Sequence, residues 1–157
     1  MCFSSQTTFA IECALAGEHF VEYDAEREHV RPRIQIVRVV VALLGGAEES
    51  SISQAQALFD VNLFGVLRVT NAVLPTMRGQ GGGRIINLSS VLGLIPAPYS
   101  ALYASTKHAI EGYSESLDHE LRPFGIRVVL VEPAYTRTSF EDNLARPDQL
   151  LDIYDAA

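Results

Sequence analysis

The pattern of apolar and polar positions changes near residue 40. Before that point no regular period holds, and an acidic stretch is followed by a basic one that prolines interrupt. Ile34 to Leu44 is apolar and rich in β-branched residues, which predicts a buried strand ended by a glycine pair. We therefore expect an atypical N-terminal segment over residues 1–40 and a regular unit over residues 41–157.

Beyond the glycine pair, helical and strand-like patterns alternate. Apolar positions at helical spacing predict two long helices, the first capped at Ser50 or Ser51, and two short apolar runs predict strands. The predicted elements after residue 44 are a helix from about Ser53 to Met77, a strand over Arg84 to Leu88, a helix over Ser100 to Leu121 and a strand over Ile126 to Val131. This order is typical of an α/β fold with a parallel sheet, helices on its faces and ligands beyond the carboxyl ends of its strands.

Composition and charge exclude several function classes. The 157 residues are 48% hydrophobic and 20% charged, which fits one soluble globular domain. The formal net charge is −7 and the basic residues are scattered, so we expect no nucleic-acid partner. Cys2 and Cys13 match neither a metal nor a disulfide spacing, no secretory signal is visible, and no run reaches the ~18 apolar residues of a membrane span. We expect a cytoplasmic protein with no metal and no membrane contact.

Tyr103 and Lys107 form the first candidate for chemistry. They stand four residues apart in the second predicted helix, so they share one face. A free tyrosine titrates near pH 10, and a neighbouring ammonium favours the phenolate, so such a pair can serve as a general acid/base. Ser90 ends the preceding strand thirteen residues earlier, where its hydroxyl can face the tyrosine. Together these residues suit hydride transfer, in which a developing alkoxide needs donors aimed at it.

Four segments resemble those of one family in the same order along the chain. Residues 83–93 and 103–112 resemble the active-site segment of the classical short-chain dehydrogenases/reductases. Residues 60–65 resemble the segment that carries a fourth catalytic residue, and residues 131–138 resemble the stretch that holds the nicotinamide carboxamide, with Ala134 in place of the usual glycine. The resemblance implies that residues 41–157 are a partial catalytic domain, the C-terminal half of a Rossmann-like doubly wound parallel sheet. Residues 1–40 match no family segment.

The resemblance also implies roles for individual residues. Tyr103 would be the catalytic acid/base, and Ser90 would orient the substrate carbonyl. Lys107 would hydrogen-bond the nicotinamide ribose and lower the pKa of the tyrosine, and Asn62 would hold a water that links the lysine to solvent. Contacts to the cofactor, NAD or NADP, would come from Tyr103, Lys107, Pro133 and Thr138. The substrate would be a small carbonyl or alcohol, and members of the family commonly form homo-oligomers through the two long helices.

Other residues receive structural interpretations. Asn87 and His108 are expected to be structural or at the surface, and Ser89 is a weaker candidate than Ser90 for the catalytic serine. Four acidic residues are expected on a solvated face of the second helix: Glu111, Glu115, Asp118 and Glu120. Three apolar residues of the first helix are expected in the core: Phe64, Leu67 and Leu74. Residues 91–102 are fairly apolar and contain prolines, which favours a lipophilic substrate.

The sequence departs from the family in its first quarter. The eleven glycines form no Thr-Gly-x-x-x-Gly-x-Gly turn, which in the family brings backbone N–H groups to the pyrophosphate. Val37 to Val40 occupy the place of the family's Asn-Asn-Ala-Gly stretch. We therefore expect a chain truncated at both ends, without a dinucleotide site in residues 1–32 and without dehydrogenase activity in this form. The alternative is a non-catalytic fold remnant or interaction subunit that lacks cofactor binding.

Overall fold

The computed structural model describes residues 34–37, 41–134 and 144–154. Within these ranges the main elements alternate between strands and helices, as the pattern predicts. They are β1 (Ile34–Val37), α1 (Ile52–Phe59), α2 (Gly65–Gly79), β2 (Gly83–Leu88), α3 (Ala101–Leu121) and β3 (Ile126–Val131). The predictions for residues 1–32 lie outside the described residues.

The three strands form one parallel sheet in the order β1-β2-β3. Ile36 pairs with Ile86, and Ile86 pairs in turn with Val129. The predicted parallel α/β fold is therefore confirmed, and β1 lies beside β2. The strand predicted to run to Leu44 is shorter, because residues 41–44 lie outside the sheet and Leu43 makes only an isolated parallel bridge to Ala145.

The first long helix is interrupted in its middle. A π-helical turn, Asp60–Phe64, joins α1 to α2, and its wider ring is closed by the Gly65 N–H donating to the Asp60 carbonyl. The helix begins as predicted, since the Ser51 hydroxyl caps it by accepting a bond from the Gln54 N–H at 3.1 Å. It continues through Pro75 to Gly79, slightly beyond the predicted end.

One hydrophobic core joins both long helices to a single face of the sheet. Alternate strand residues such as Ile85, Ile126 and Val128 pack against α2 and α3. The intervening residues of β3, Arg127, Val129 and Val131, are exposed. In the described part of the chain the two long helices lie on one face of the sheet, and these exposed residues of β3 mark the other face.

The composite helix Ile52–Gly79 is long and apolar enough to cross a membrane, judged by length and composition alone. A core helix passes the same criterion, and this one buries Val66, Val69 and Leu74 against the sheet. Its apolar character therefore has an explanation in packing. Of the three residues expected in the core, Leu74 is buried and Leu67 half-buried, whereas Phe64 is 46% exposed because the π-helical turn directs it into a surface groove.

Candidate active site

Ser90 stands where β2 ends. Its backbone is extended, and its hydroxyl accepts a bond from the Leu92 N–H at 3.2 Å, which starts a short 3-10 turn, Val91–Gly93. The Ser89 N–H donates to the Val131 carbonyl at 2.8 Å, and the Val91 N–H donates to the Pro133 carbonyl at 3.1 Å. The chain after β2 therefore runs beside the chain after β3, and Ser90 is held between these two bonds at the carboxyl edge of the sheet.

Helix α3 brings Tyr103 to the same edge. The tyrosine is only 6% exposed, and its side chain is hydrogen-bonded with that of Ser90. Both hydroxyls therefore meet at one place, as the spacing of the two residues predicts. Thr106 fixes the start of this helix further, since its hydroxyl donates to the Tyr103 carbonyl at 2.7 Å.

Burial controls the acidity of the tyrosine. Removal from water raises the pKa of Tyr103 above its usual value, and the hydrogen bond with Ser90 opposes that rise. The net direction is upward, opposite to the lowering expected from the lysine. The reason is that desolvation of the phenolate outweighs the groups around it that favour the charged form.

Lys107 lies one turn further along α3 and is fully buried. Its Nζ donates to the Leu88 carbonyl at 3.0 Å and lies 5.6 Å from the centroid of the Tyr103 ring. Burial lowers the pKa of Lys107 to about 8, and attraction to Glu111 opposes this shift. The ammonium is therefore anchored to the last residue of β2 and directed beneath the tyrosine.

Asn62 is buried in the π-helical turn and serves the backbone around the site. Its Oδ1 accepts from the Val41 N–H at 2.8 Å, and its Nδ2 donates to the Val41 carbonyl at 2.8 Å and to the Thr106 hydroxyl at 3.1 Å. The side-chain amide thus ties the segment after β1 to the turn of α3 that precedes Lys107. The predicted role as a water holder for the lysine stays a prediction, because all three of these bonds go to other groups.

The remaining predicted cofactor contacts are placed only in part. Pro133 follows β3 and lies beside Ser90 through its bond to Val91. Thr138 lies outside the described residues. The minor candidates agree with their structural interpretations: Asn87 is buried and donates to the Ser114 hydroxyl at 2.8 Å, and His108 is exposed and bonded to the Ala104 carbonyl.

Two of the four acidic residues expected on a solvated face are buried, which corrects that prediction. Glu111 and Asp118 are 8% and 7% exposed, whereas Glu115 and Glu120 are exposed. Both buried carboxylates lie on the inner side of α3, Glu111 one turn after Lys107 and Asp118 two turns further on. The i+4 spacing from Lys107 to Glu111 was the available signal in the sequence.

The donors at this edge fit one end of a nicotinamide nucleotide. The Lys107 ammonium has three N–H donors, of which one binds the Leu88 carbonyl, and the hydrogen-bonded side chains of Tyr103 and Ser90 lie at the same edge of the sheet. Such a set can bind ribose hydroxyls and a carbonyl oxygen.

Comparisons with known proteins show the family and the fold of the chain. A sequence model of the short chain dehydrogenase family matches residues 6–149. The uncharacterized oxidoreductase YusZ of Bacillus subtilis is 47% identical over 95 residues, 60% of this chain and 34% of the relative. The 3-ketodihydrosphingosine reductase of Bacteroides thetaiotaomicron is 44% identical over 101 residues, 64% of this chain and 38% of the relative. A short chain dehydrogenase/reductase from Burkholderia phymatum, solved in complex with NAD, superposes with a TM-score of 0.66 at 32% identity over 70% of this chain and 40% of that one.

The matches cover only part of each relative. The chain spans about a third of the length of the two curated relatives, 34% and 38%. The family match begins at residue 6, ahead of the change of pattern near residue 40. The boundary between an atypical segment and a catalytic domain stays a prediction from the pattern.

Proposed function

The chain belongs to the short-chain dehydrogenase family, and from that premise we propose that it carries the catalytic site of an oxidoreductase that uses NAD or NADP. The substrate is a carbonyl compound or the corresponding secondary alcohol. One observation carries the proposal. The hydroxyl of Tyr103 meets that of Ser90 at the carboxyl edge of a parallel sheet, with the Lys107 ammonium fixed beneath them by the Leu88 carbonyl.

In the direction of reduction, Tyr103 donates its phenolic proton to the substrate's carbonyl oxygen while Ser90 donates a hydrogen bond to the same oxygen. The nicotinamide, when bound, supplies the hydride to the carbonyl carbon. Oxidation reverses these steps, so that the Tyr103 phenolate takes the proton of the alcohol. With its raised pKa, Tyr103 is protonated at neutral pH, as the reduction requires, and its burial makes the phenolate that remains costly.

Lys107 stabilises the phenolate that remains when Tyr103 has given up its proton. A phenolate formed in a buried place needs a nearby positive charge, and the Lys107 Nζ lies 5.6 Å from the tyrosine ring. Its remaining N–H donors are available for the ribose of the cofactor. The lysine therefore serves both the cofactor and the tyrosine from one fixed position.

Exposed apolar side chains support a lipophilic substrate. The stretch of sequence that joins Ser90 to Tyr103 carries three exposed apolar side chains, those of Leu94, Ile95 and Tyr99. The Tyr99 ring packs edge-to-face on that of Tyr154, with ring centroids 6.2 Å apart. Residues 152–154 therefore lie beside these exposed apolar side chains. One relative is named 3-ketodihydrosphingosine reductase, and a ketone of that kind is compatible with these apolar side chains.

Self-association through the long helices is part of the proposal. An open groove of about 840 Å³ runs along the first helix and is lined by apolar residues that include Ile52, Phe59 and Phe64. A solvated surface rarely keeps a large apolar groove uncovered, so a second copy of the chain is the proposed partner.

The test is an assay of the purified chain with NADH and with NADPH against ketones of increasing chain length. Turnover of the longer ketones is the expected result of the proposed function, and Tyr103→Phe is expected to abolish it by removing only the transferred proton. Tyr113→Phe is the matched control, since it removes a phenol hydroxyl from the same helix on the side that faces Thr70.

The opposite expectation, that the chain in this form is inactive, is decided by the same experiment. Turnover that persists in Tyr103→Phe would remove the tyrosine from its role. No turnover, together with no binding of either nucleotide by calorimetry, would favour the non-catalytic subunit for the chain as written.

A further inference from the structure

Glu111 is a buried carboxylate that the proposed chemistry does not use. It lies one helical turn after Lys107, and its side chain points inward from α3 with 8% exposure. Its Oε1 is buried and has no hydrogen-bond partner among the described residues. Burial of a carboxylate oxygen without a hydrogen bond is unfavourable, so another interaction must offset it.

Gly93 lets this carboxylate reach the end of β2. A Cβ atom at Gly93 would lie 2.9 Å from the Glu111 Oε1 and 2.7 Å from the Ser89 hydroxyl, so any side chain there would displace both groups. Ser89 follows Leu88, whose carbonyl holds the Lys107 Nζ. The carboxylate and the ammonium therefore approach two consecutive residues of the same strand end.

Among the described residues, few other charges face this pair. On α3 the titratable neighbours are Tyr103, one turn before Lys107, and the exposed His108 and Glu115. The turn Val91–Gly93 and the end of β2 present only neutral groups. In the π-helical turn, Asp60 is paired with Arg68 at the surface. Near β3, Arg127 is paired with Asp118, and Glu132 is exposed. Glu111, one helical turn from Lys107, is thus the described counter-charge whose attraction opposes the effect of burial on the pKa of the lysine.

We propose that Glu111 is a positioning residue whose carboxylate keeps the buried Lys107 ammonium charged near neutral pH. It acts through the electric field and not through a direct ion pair, since the three ion pairs of the described residues join other groups. Its consequence for catalysis rests on the proposed function. A neutral Lys107 would leave the Tyr103 phenolate without a neighbouring charge.

The sequence offers an unusually direct test, because Lys107 is the only lysine among the 157 residues. Protein labelled with ¹³C at the lysine Cε gives one side-chain signal, and its chemical shift against pH reports the pKa of Lys107 without any need for turnover. In the full chain we expect a midpoint of about 8. Glu111→Gln and Glu111→Leu, which both remove the charge, are expected to move the midpoint down by roughly one pH unit.

Two further variants test whether the effect needs a charge and whether it needs that charge at position 111. Glu111→Asp keeps the charge and should restore most of the midpoint, and Glu115→Gln removes an exposed carboxylate from the same helix and should leave the midpoint unchanged. If Glu111→Gln does not fold, Glu111→Leu gives the same measurement of the Lys107 midpoint without a buried amide. An unchanged midpoint in a folded charge-removing variant would overturn the proposal. A shifted midpoint in a chain without turnover would count against the proposed function alone.

Discussion

The charged ammonium of Lys107 is buried, and its removal from water lowers the stability of the folded state. Its pKa falls from 10.5 to about 8 because burial disfavours the ammonium. The folded protein binds its proton more weakly than the unfolded chain does. Wild-type stability should therefore be lowest below pH 8 and should rise as the pH passes from about 8 to 10.5.

Replacement of Lys107 by methionine should consequently stabilise the fold at neutral pH. Each pKa unit corresponds to about 1.4 kcal/mol, and loss of the bond to the Leu88 carbonyl offsets about 1 kcal/mol. We expect Lys107→Met to raise the free energy of unfolding by roughly 2 kcal/mol at pH 7, with no activity. The gain should shrink toward pH 10. Denaturant unfolding of both proteins between pH 6 and 10 measures the difference in the free energy of unfolding. A variant less stable than wild type throughout would show that burial of the lysine charge does not destabilise the fold.

The sequence predicts where the candidate catalytic residues lie better than it predicts the contacts that hold them. The spacing of Ser90, Tyr103 and Lys107 along one strand end and one helix face predicts that they lie close together, and the family resemblance gives them their expected roles. The partners of Asn62 could not, because they depend on Val41 and Thr106 approaching it from two other segments. Glu111 was misjudged for a similar reason. A glutamate is normally solvated, and the i+4 spacing from Lys107 is a weak signal beside the packing of the turn at Gly93, which shows that this one is buried.

At the scale of elements, Asp118 connects the end of α3 to the start of β3. Its carboxylate accepts from Arg122 on its own helix, from Arg127 at 2.9 Å and from the buried Val128 N–H at 2.9 Å. Between the two elements the chain turns at Gly125, whose φ of 70° is a conformation that glycine adopts readily. Asp118 thus sets how α3, and Tyr103 with it, lies on the sheet.

Two substitutions of Asp118 should separate its charge from its backbone bond. Asn can still accept from the Val128 N–H, and both arginines are about half exposed, so Asp118→Asn should cost only about 1 kcal/mol of stability. Asp118→Ala leaves the buried N–H unpaired and should cost roughly 3 kcal/mol. Thermal or denaturant unfolding at pH 7 compares them, with Glu120→Gln as the exposed control. Equal losses in the two variants would mean that the backbone bond contributes little.

The same carboxylate predicts a pH dependence. The hydrogen bonds from Arg127 and Val128 lower the pKa of Asp118 well below its usual value. The carboxylate therefore contributes stability above about pH 4, and this contribution is lost as the pH falls through the lowered pKa. The difference between wild type and Asp118→Asn should be constant from pH 7 to about pH 5 and should decrease toward pH 2. A difference that does not change over this range would contradict the assignment.

Helix limits show what periodicity can and cannot predict. The start at Ser51 and the helix Ala101–Leu121 follow from capping residues and from apolar spacing. The π-helical turn, Asp60–Phe64, could not be predicted, because it arises where Asn62 is drawn toward Val41 and Thr106 and not from the local sequence. Its extra residue changes the phase of the helix, which is why Phe64 faces a groove and not the core.

At the scale of the whole molecule, two apolar surfaces remain uncovered by the described residues. One is the groove along the first long helix, at which Ile52 is 75% and Phe64 46% exposed. The other is the open face of the sheet, where Val129 and Val131 are 39% and 43% exposed. Both surfaces favour association, and the proposed contact between copies concerns the first.

Ile52→Glu should therefore shift the chain toward the monomer. Ile52 is the first residue of α1, where a carboxylate is favoured by the helix dipole, so the substitution adds charge to the groove without loss of helix stability. The wild-type chain is expected to sediment as a dimer or larger species, and Ile52→Glu to dissociate at least tenfold more readily in analytical ultracentrifugation. Val129→Lys is the matched variant, since it places a charge on the open face of β3 and should leave self-association unchanged if the contact is the groove. Dissociation by Val129→Lys and not by Ile52→Glu would move the contact to the sheet, and a wild-type monomer at all concentrations would exclude self-association through either surface.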